Sequence, residues 1–582
     1  MSHQPHAVYS QRLKECESQL AGLDSVHHRL AWLRLGLVAL GLTGCWIVPG
    51  PWLILPLLVF LMLVGYHARL KAQLESSRRA TQFYRLGLAR LDGSWPGQGV
   101  DGSLFLDLQH PYARDLDLFG KGSLYELLCR ARTRAGQRRL AEWLSQPASS
   151  QEVIQRQAAV RELRDGLELR EQLTGLQPAH QSLKGVSPVH WATRPVRLRS
   201  LPLRLLAGLL GLAGLLSLLY WFWSYDPAPL GVVVLLQLIF MKTLGAQASE
   251  IIKEAEPIRG ECLTLGVYLK RLEMESVASP LLLRLWKPLQ ERPSRALSRL
   301  ETILDTLESR RNPLLAPLYS LMLAPYQLAA ALEDWRDRYG PRLATWLDSL
   351  ADIEALLSLA SFAWENPDYA WPELKATGEG LEAIGLGHPL LGPGCVTNDI
   401  HLTRVKLWIV SGSNMSGKSS LLRSLGSNVV LAMSGAPVRA ASMQLEPLQV
   451  AGSIQLSDSL AAGISRFYAE VLRLRQVLEQ SSGPARLLYL LDEILGGTNS
   501  QDRLVGARAV VRRLFELNCL GLVTTHDLAL TELADQLGDQ AANMHFEDQL
   551  EDGVMKFDYR LRTGVIARSN ALELMRAVGL EV

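Results

Sequence analysis

A lysine and two serines that follow a pair of spaced glycines carry the most readable chemistry in this chain. In Val410-Ser411-Gly412-Ser413-Asn414-Met415-Ser416-Gly417-Lys418-Ser419-Ser420 the spacing G-x-x-x-x-G-K-S lets consecutive backbone N–H groups turn toward phosphate oxygens. Lys418 would then reach the β and γ phosphates of ATP, and Ser419 would ligate Mg²⁺. The apolar Val405-Lys406-Leu407-Trp408-Ile409 before the run predicts a strand, and Leu421-Leu422-Arg423-Ser424-Leu425 after it predicts a helix. That is the setting the motif needs. Gly412, Ser413, Asn414, Met415, Ser416, Gly417, Lys418, Ser419 and Ser420 are therefore the candidate nucleotide contacts.

Three further segments supply the remaining parts of an ATP hydrolase. Leu487-Leu488-Tyr489-Leu490-Leu491-Asp492-Glu493 reads as a buried strand ending in two carboxylates, Asp492 for Mg²⁺ and Glu493 to polarise the attacking water. The next strand-like run, Leu520-Gly521-Leu522-Val523-Thr524-Thr525, delivers His526 to the carboxyl end of a neighbouring strand. There an imidazole can sense the γ phosphate, although a lone histidine is as readily structural. Ser465 opens the helical Ser465-Arg466-Phe467-Tyr468-Ala469-Glu470. Both an ordinary N-cap and an anion contact offered in trans to a second subunit fit that position.

Taken together these residues resemble the MutS family, the mismatch-repair branch of the ABC-type ATPases. The loop is similar to that family's Gly-Pro-Asn-Met-x-Gly-Lys-Ser, with Ser413 in place of proline and the distinctive Asn414-Met415 retained. Asp492-Glu493-Ile494-Leu495-Gly496-Gly497-Thr498-Asn499-Ser500-Gln501-Asp502 resembles Asp-Glu-Ile-Gly-Arg-Gly-Thr-Ser-x-x-Asp, and Ser465-x-Phe467-x-x-Glu470 resembles the signature helix. Gly387-His388-Pro389 and Asn398-Asp399-Ile400 resemble the approach to the nucleotide site. Gly564 and Ser569 also fit, whereas Asn570-Ala571 departs from the usual Tyr-Gly. The resemblance implies a homodimer through the ATPase domains, with ATP and Mg²⁺ held by one subunit and Ser465 contributed by the other. Glu493, Lys418 and His526 are then the catalytic set, and mismatched or branched DNA is the implied partner.

Stepwise upstream, Leu124-Tyr125-Glu126-Leu127-Leu128, Thr133 to Leu140, Trp143 to Pro147 and Ile154-x-Arg156-Gln157-x-x-Val160 read as amphipathic helices and are similar to the start of the MutS core; a plain helical bundle has the same pattern. Two apolar stretches interrupt the resemblance. Leu35 to Tyr66 holds no charge and is divided by Pro49-Gly50-Pro51 into runs slightly short of the ~17 to 25 residues that span hydrocarbon. Leu205 to Tyr225 and Leu230 to Met241 form a second such pair, with Tyr220, Trp221, Phe222, Trp223 and Tyr225 at its turn, as rings at a membrane interface would be. Arg29, Arg34, Arg69, Lys71, Arg78 and Arg79 flank the first pair, and Arg197, Arg199, Arg204 and Lys242 the second. The positive-inside rule then puts both termini and the ATPase in the cytoplasm, under a cell (inner or plasma) membrane crossed several times. Buried helices of a soluble core remain the alternative, opposed by the absence of a polar face.

The expected fold is multidomain, α and α/β, a helical MutS-core-like region with two transmembrane helical hairpins followed by a C-terminal P-loop ABC-type ATPase domain. Its expected divisions are 1–103 (an N-terminal helix and a first hairpin at about 33–66), 104–204 (first part of the core), 205–243 (second hairpin), 244–375 (returning helices broken at Pro313, Pro317 and Pro325) and 376–582 (ATPase). With 48% hydrophobic residues and a formal net charge of +2, composition suits an ATPase with a few spans and does not advertise nucleic-acid binding. Six scattered cysteines without C-x-x-C spacing fit a reducing compartment and argue against structural zinc. Nothing in the first hundred residues resembles the family's Phe-x-Glu mismatch reader. Two functions stay open: an ATPase coupled to mismatched or branched DNA, and a mechanochemical ATPase acting on the lipid bilayer or a membrane partner without DNA. Transport is weaker, because the spans carry no charge that would line a path.

Overall fold

The computed structural model describes residues 4–47, 54–175, 188–198, 200–309, 312–313, 316–392, 394–413, 415–455, 466–483, 485–496, 499–551 and 554–566. Asn414, Ser465, Thr498, Ser569, the Asn570-Ala571 departure, Arg199 and the Pro49-Gly50-Pro51 turn lie outside those residues.

The N-terminal hundred residues form two long antiparallel helices, Pro5–Ile47 and Ile54–Leu91, so the apolar stretch expected at about 33–66 is the far end of a longer arm. Its polar root is tied down by aromatic packing of Tyr9, Phe83 and Tyr84 against Trp364 and Leu167. Glu365, fully enclosed there, accepts from the Tyr9 hydroxyl at 3.1 Å and from Arg90 Nε at 2.8 Å, and Arg130 Nη2 approaches at 3.3 Å. Toward the far end Trp32, Leu33, Leu35, Leu40, Leu58, Leu61 and Met62 are exposed, an arrangement that water alone disfavours.

The second pair consists of Leu201–Ser224 and Ala228–Ala255. Among the described residues these supply the two helices long and apolar enough to cross a membrane, the second running on to Cys262. The second helix runs through residue 243, the expected end of the hairpin, without a break. Outward faces carry Leu209, Leu212, Leu216, Leu235 and Ile239, and the turn exposes Trp221, Phe222, Trp223 and Tyr225. Inward faces are small: a Cβ on Gly211 would stand 2.5 Å from the Met322 carbonyl oxygen and one on Gly214 2.9 Å from that of Leu321. The buried Gln237 side chain donates to the carbonyls of Leu210 and Leu321, both at 2.8 Å, a satisfied polar group inside an apolar layer. The arginines below the pair are committed to the core, Arg204 to Asp334 and Arg197 to Glu250 and Glu254.

From this clasp the helix Ala324–Glu365 runs 42 residues to the base of the α/β domain, a rise of roughly 63 Å at 1.5 Å per residue. Of the predicted breaks, Pro313 precedes a short helix, Ala316–Leu321, while Pro317 and Pro325 occupy the first turns of that helix and of the long helix, where a missing N–H is harmless. Pro341 lies inside the same helix without ending it. The preceding Gly340 lets the helix pass the Ala192 carbonyl, where a Cβ would come within 2.3 Å of the oxygen. Alongside, Glu354 receives the Arg132 and Thr133 backbone N–H groups at 2.9 and 3.2 Å and the Thr133 hydroxyl.

Among the described residues ten strands make up two sheets. β1 (Glu373–Leu374), β5 (Ser442–Leu445), β2 (Leu381–Leu386) and β3 (Asn398–Leu402) form the smaller one. The larger is ordered β10-β9-β4-β8-β7-β6, from β4 (Leu407–Ser411), β6 (Leu448–Ser453), β7 (Arg486–Asp492), β8 (Leu520–Thr525), β9 (Ala541–Glu551) and β10 (Val554–Thr563). It is parallel from β9 to β6, with β10 antiparallel at the edge. β4 and β8 are buried along their whole length, as continuous apolar runs in a parallel sheet require.

Candidate functional site

Because β4, β8 and β7 are parallel neighbours, their carboxyl ends share one edge, and each of the three sequence motifs sits at one of those ends. Such an edge is where open α/β sheets bind ligands. β4 leads into residues 412–417, and Lys418 opens the helix Lys418–Ser434. The N-terminal end of that helix directs free N–H groups and its positive dipole end at the loop. Gly417 has φ +105° and faces the ring of Tyr559, 3.1 Å from where a Cβ would stand. Met415, at φ 69°, projects almost fully exposed.

Lys418 is buried, and its ammonium donates back to the carbonyls of Gly412 and Ser413 at 2.7 and 2.9 Å. It also stands 3.2 Å from Glu493 Oε1, whose other oxygen is 3.4 Å from His526 Nδ1. Glu493 leaves β7 in a left-handed conformation, φ 47°, with its N–H donating to the Thr524 carbonyl at 3.2 Å. A non-glycine residue held there costs about 1 to 3 kcal/mol, and such strain gathers at functional sites. The Thr524 hydroxyl donates to Asp492, which fixes that carboxylate at the end of its strand. Thus Lys418, Glu493 and His526 meet, with Asp492 beside them. Ser419 follows Lys418 in the same first turn and Ser420 is exposed. The signature helix begins at Arg466, immediately after Ser465, and its buried Glu470 accepts from the Leu495 N–H just beyond Glu493.

The loop fits a nucleotide polyphosphate. The Ser413 and Ser416 hydroxyls are shielded from water without a hydrogen-bond partner, and Ser416 Oγ would be 2.9 Å from a Cβ on Gly412. Unpaired hydroxyls beside inward-turning amides and an ammonium suit an anion rich in oxygen. Among the described residues no group of three or more His, Cys, Asp or Glu could hold a metal. A divalent ion here would draw on Ser419, Asp492 and the nucleotide's own oxygens, the usual arrangement for Mg²⁺.

Several supporting residues carried no sequence signal. Arg503, one turn into the helix Ser500–Glu516, donates to His526 Nε2 at 3.3 Å and pairs with Asp527 at 3.4 Å. Asn398, flagged only as part of a tripeptide, binds the Tyr559 carbonyl at 3.0 Å and the Leu561 N–H at 2.7 Å, clamping an irregular turn of β10 over the loop. Arg473 on the signature helix joins Asp115 at 2.8 Å and the carbonyls of His110 and Gly452. Asp115 also accepts the N–H groups of Ile454 and Gln455 at the end of β6. The Gly387-His388-Pro389 turn is a brace. Asn428 of the loop helix donates to the Gly387 carbonyl at 2.8 Å, Arg439 donates to that of His388, and burial pushes the His388 imidazole down to about 4.

Comparison with known proteins agrees with this geometry. Residues 106–360 match MutS domain III and residues 408–581 match MutS domain V. A Halobacterium salinarum protein named DNA mismatch repair protein MutS 2 is 32% identical over 261 residues, 44% of this chain and 30% of that protein. DNA mismatch repair protein MutS of Shouchella clausii is 31% identical over 264 residues, with the same coverage. DNA mismatch repair protein MSH3 of Phaeosphaeria nodorum is 32% identical over 255 residues, 42% of this chain and 22% of that protein. The chain thus spans less than a third of the length of these relatives. Two MutS domains, III and V, are thus matched in order along the chain, and the aligned relatives are named as DNA mismatch repair proteins.

Proposed function

We propose that this chain is a membrane-anchored MutS-family ATPase that binds and hydrolyses ATP as a homodimer and couples the cycle to mismatched or branched DNA. The observation that carries the reading is the convergence of Lys418, Glu493 and His526 at the mouth of one strand-to-helix loop. In this scheme the loop amides and Lys418 hold the phosphates, Ser419 and Asp492 hold Mg²⁺, and Glu493 orients water. His526 reports the γ phosphate, and Ser465 acts in trans. Bound ATP·Mg²⁺ supplies the scissile anhydride and a divalent charge to offset its oxygens. Lys418 must give up Glu493 to reach a phosphate, which frees the carboxylate for water only when nucleotide is present. The DNA partner is supported by the mismatch-repair names of the relatives aligned to this chain.

The bilayer is the second proposed partner. Its support is the exposed apolar outer face of Leu201–Ser224 and Ala228–Ala255, the aromatic turn between them, and the similar far end of the N-terminal pair. The arginines at the base of the second pair orient the ATPase toward the cytoplasm. A purely mechanical reading, ATP-driven movement of the bilayer or a membrane partner without DNA, is favoured by one feature. The helix Ala324–Glu365 joins the clasp under the second pair to the Glu365 cluster at the edge of the α/β domain.

Steady-state ATP hydrolysis in lipid nanodiscs, with homoduplex, mismatched and branched DNA at two salt concentrations, separates the readings. Turnover that depends on DNA structure supports the first. Turnover indifferent to every DNA removes DNA from the proposal and leaves the mechanical one.

A further inference from the structure

We infer that Arg503 is a positioning residue for this site, fixing the tautomer of His526 so that its Nδ1–H faces Glu493. The inference rests on the ATPase reading for its catalytic meaning, although the tautomer itself can be measured independently. Arg503 Nη1 lies 3.3 Å from His526 Nε2 and Arg503 Nη2 lies 3.4 Å from Asp527 Oδ2. A guanidinium has only donors. Nε2 must therefore accept, and a neutral imidazole facing Arg503 carries its proton on Nδ1. That nitrogen is 3.4 Å from Glu493 Oε2.

The charged groups around the ring come from each neighbouring element: Glu493 beyond β7, Arg503 from the helix Ser500–Glu516 and Asp527 on the histidine's own segment. Lys418 stands on the far side of Glu493 at 3.2 Å. Asp527 holds the guanidinium, the guanidinium sets the ring, and the ring N–H holds one oxygen of Glu493. The carboxylate is left with its other oxygen toward Lys418 and the loop. When Lys418 is drawn to phosphate, Oε1 is released toward water while Oε2 stays anchored by the imidazole. Orientation of a catalytic group by an outer partner is a recurrent device, and losing the partner typically lowers function about 10- to 100-fold. Among the described residues the polar partners of Arg503 are His526 and Asp527 rather than the loop or its lysine, so its effect belongs in turnover rather than in nucleotide binding.

The test uses the full chain in nanodiscs, with imidazole-¹⁵N-labelled histidine and the His526→Gln variant to identify the resonances. The wild type should show His526 protonated at Nδ1, and Arg503→Gln should shift the population toward Nε2. With ATP and Mg²⁺, Arg503→Gln should lower kcat about ten-fold with KM changed less than about two-fold, and Arg503→Lys, which restores one donor, should recover part of the loss. A wild-type ring protonated at Nε2, or an Arg503→Gln protein with unchanged tautomer and unchanged kcat, overturns the inference. A fall in kcat that tracks a loss of folded protein, unrelieved by Arg503→Lys, overturns it too. If turnover is absent from the wild type, or survives Glu493→Gln, the ATPase reading is what fails, and the tautomer measurement still decides the role of Arg503.

Discussion

Replacing Glu354 with glutamine should make the helical core more resistant to rising pH. Glu354 is 1% exposed on the long helix and caps the start of Arg134–Ser145 through the Thr133 hydroxyl and two backbone N–H groups. Burial pushes its carboxyl up to about 7, and the hydrogen bonds from Thr133 and Arg132, which pull the other way, only partly offset that. An unfolded glutamate titrates near 4.3. Between these values the folded state keeps a proton that the unfolded state has released. Stability must therefore fall as pH rises through the interval, at ~1.4 kcal/mol per unit, and level off above the folded value. The whole interval is worth about 4 kcal/mol. Glutamine keeps an acceptor for the two N–H groups, offers an amide to Thr133 and does not titrate. Other titrating groups are common to both proteins and cancel in the difference. At roughly 2 to 4 °C per kcal/mol for a folding unit of 150 to 250 residues, the melting advantage of Glu354→Gln over wild type should grow by about 10 °C between pH 4.5 and 7.5. Melting by intrinsic fluorescence in nanodiscs at half-unit steps reads this directly. Parallel curves for the two proteins, or an advantage that shrinks with pH, would refute the reasoning.

Three further outcomes follow from other contacts. Arg473→Ala strips the buried Asp115 of its cation and should destabilise the junction between the 106–120 segment and the signature helix by about 3 to 5 kcal/mol; hydrogen exchange along Arg466–Gln480 should accelerate, and unchanged protection would contradict the assignment. Gln237→Leu leaves the carbonyls of Leu210 and Leu321 without their donor and Gly211→Leu forces apart the helix and the Met322 carbonyl; each should lower the melting temperature, the first by about 1 to 3 kcal/mol equivalent, and neither loss would remain if the clasp were incidental. In bilayers containing shallow brominated lipid, part of the tryptophan fluorescence should be quenched, and that part should shrink in Trp221→Phe/Trp223→Phe; quenching unchanged in that variant would place the turn away from the interface.

The loop, the Asp492-Glu493 strand end and His526 were legible because each is a local pattern, a glycine spacing or an apolar run ended by a polar residue, and parallel pairing then brings their ends to one edge. The second apolar pair was legible from uncharged length alone, whereas among the described residues the helices of the N-terminal pair are not among those long and apolar enough to cross a membrane. The extent of the N-terminal pair was not legible, since the polar halves of Pro5–Ile47 and Ile54–Leu91 read as ordinary amphipathic sequence until paired with each other. Pro341 was silent because nothing local separates a proline that a well-packed helix carries through from one that ends it. Asp115 with Arg473, Glu354 with Thr133, and Glu365 with Tyr9 and Arg90 join residues more than two hundred positions apart, and no periodicity or spacing encodes such partners. Arg503 lies near the motif but outside its pattern, so only the folded helix shows that it faces His526.

The central claim is that Lys418 and Glu493 form one ATP-hydrolysing site, and the most direct test is ATP binding and single-turnover hydrolysis by the wild type, Lys418→Ala and Glu493→Gln in nanodiscs with Mg²⁺. The account predicts hydrolysis by the wild type, loss of nucleotide binding in Lys418→Ala, and tight binding without cleavage in Glu493→Gln, with that variant trapped as an ATP-bound dimer. Hydrolysis at the wild-type rate in both variants would contradict it.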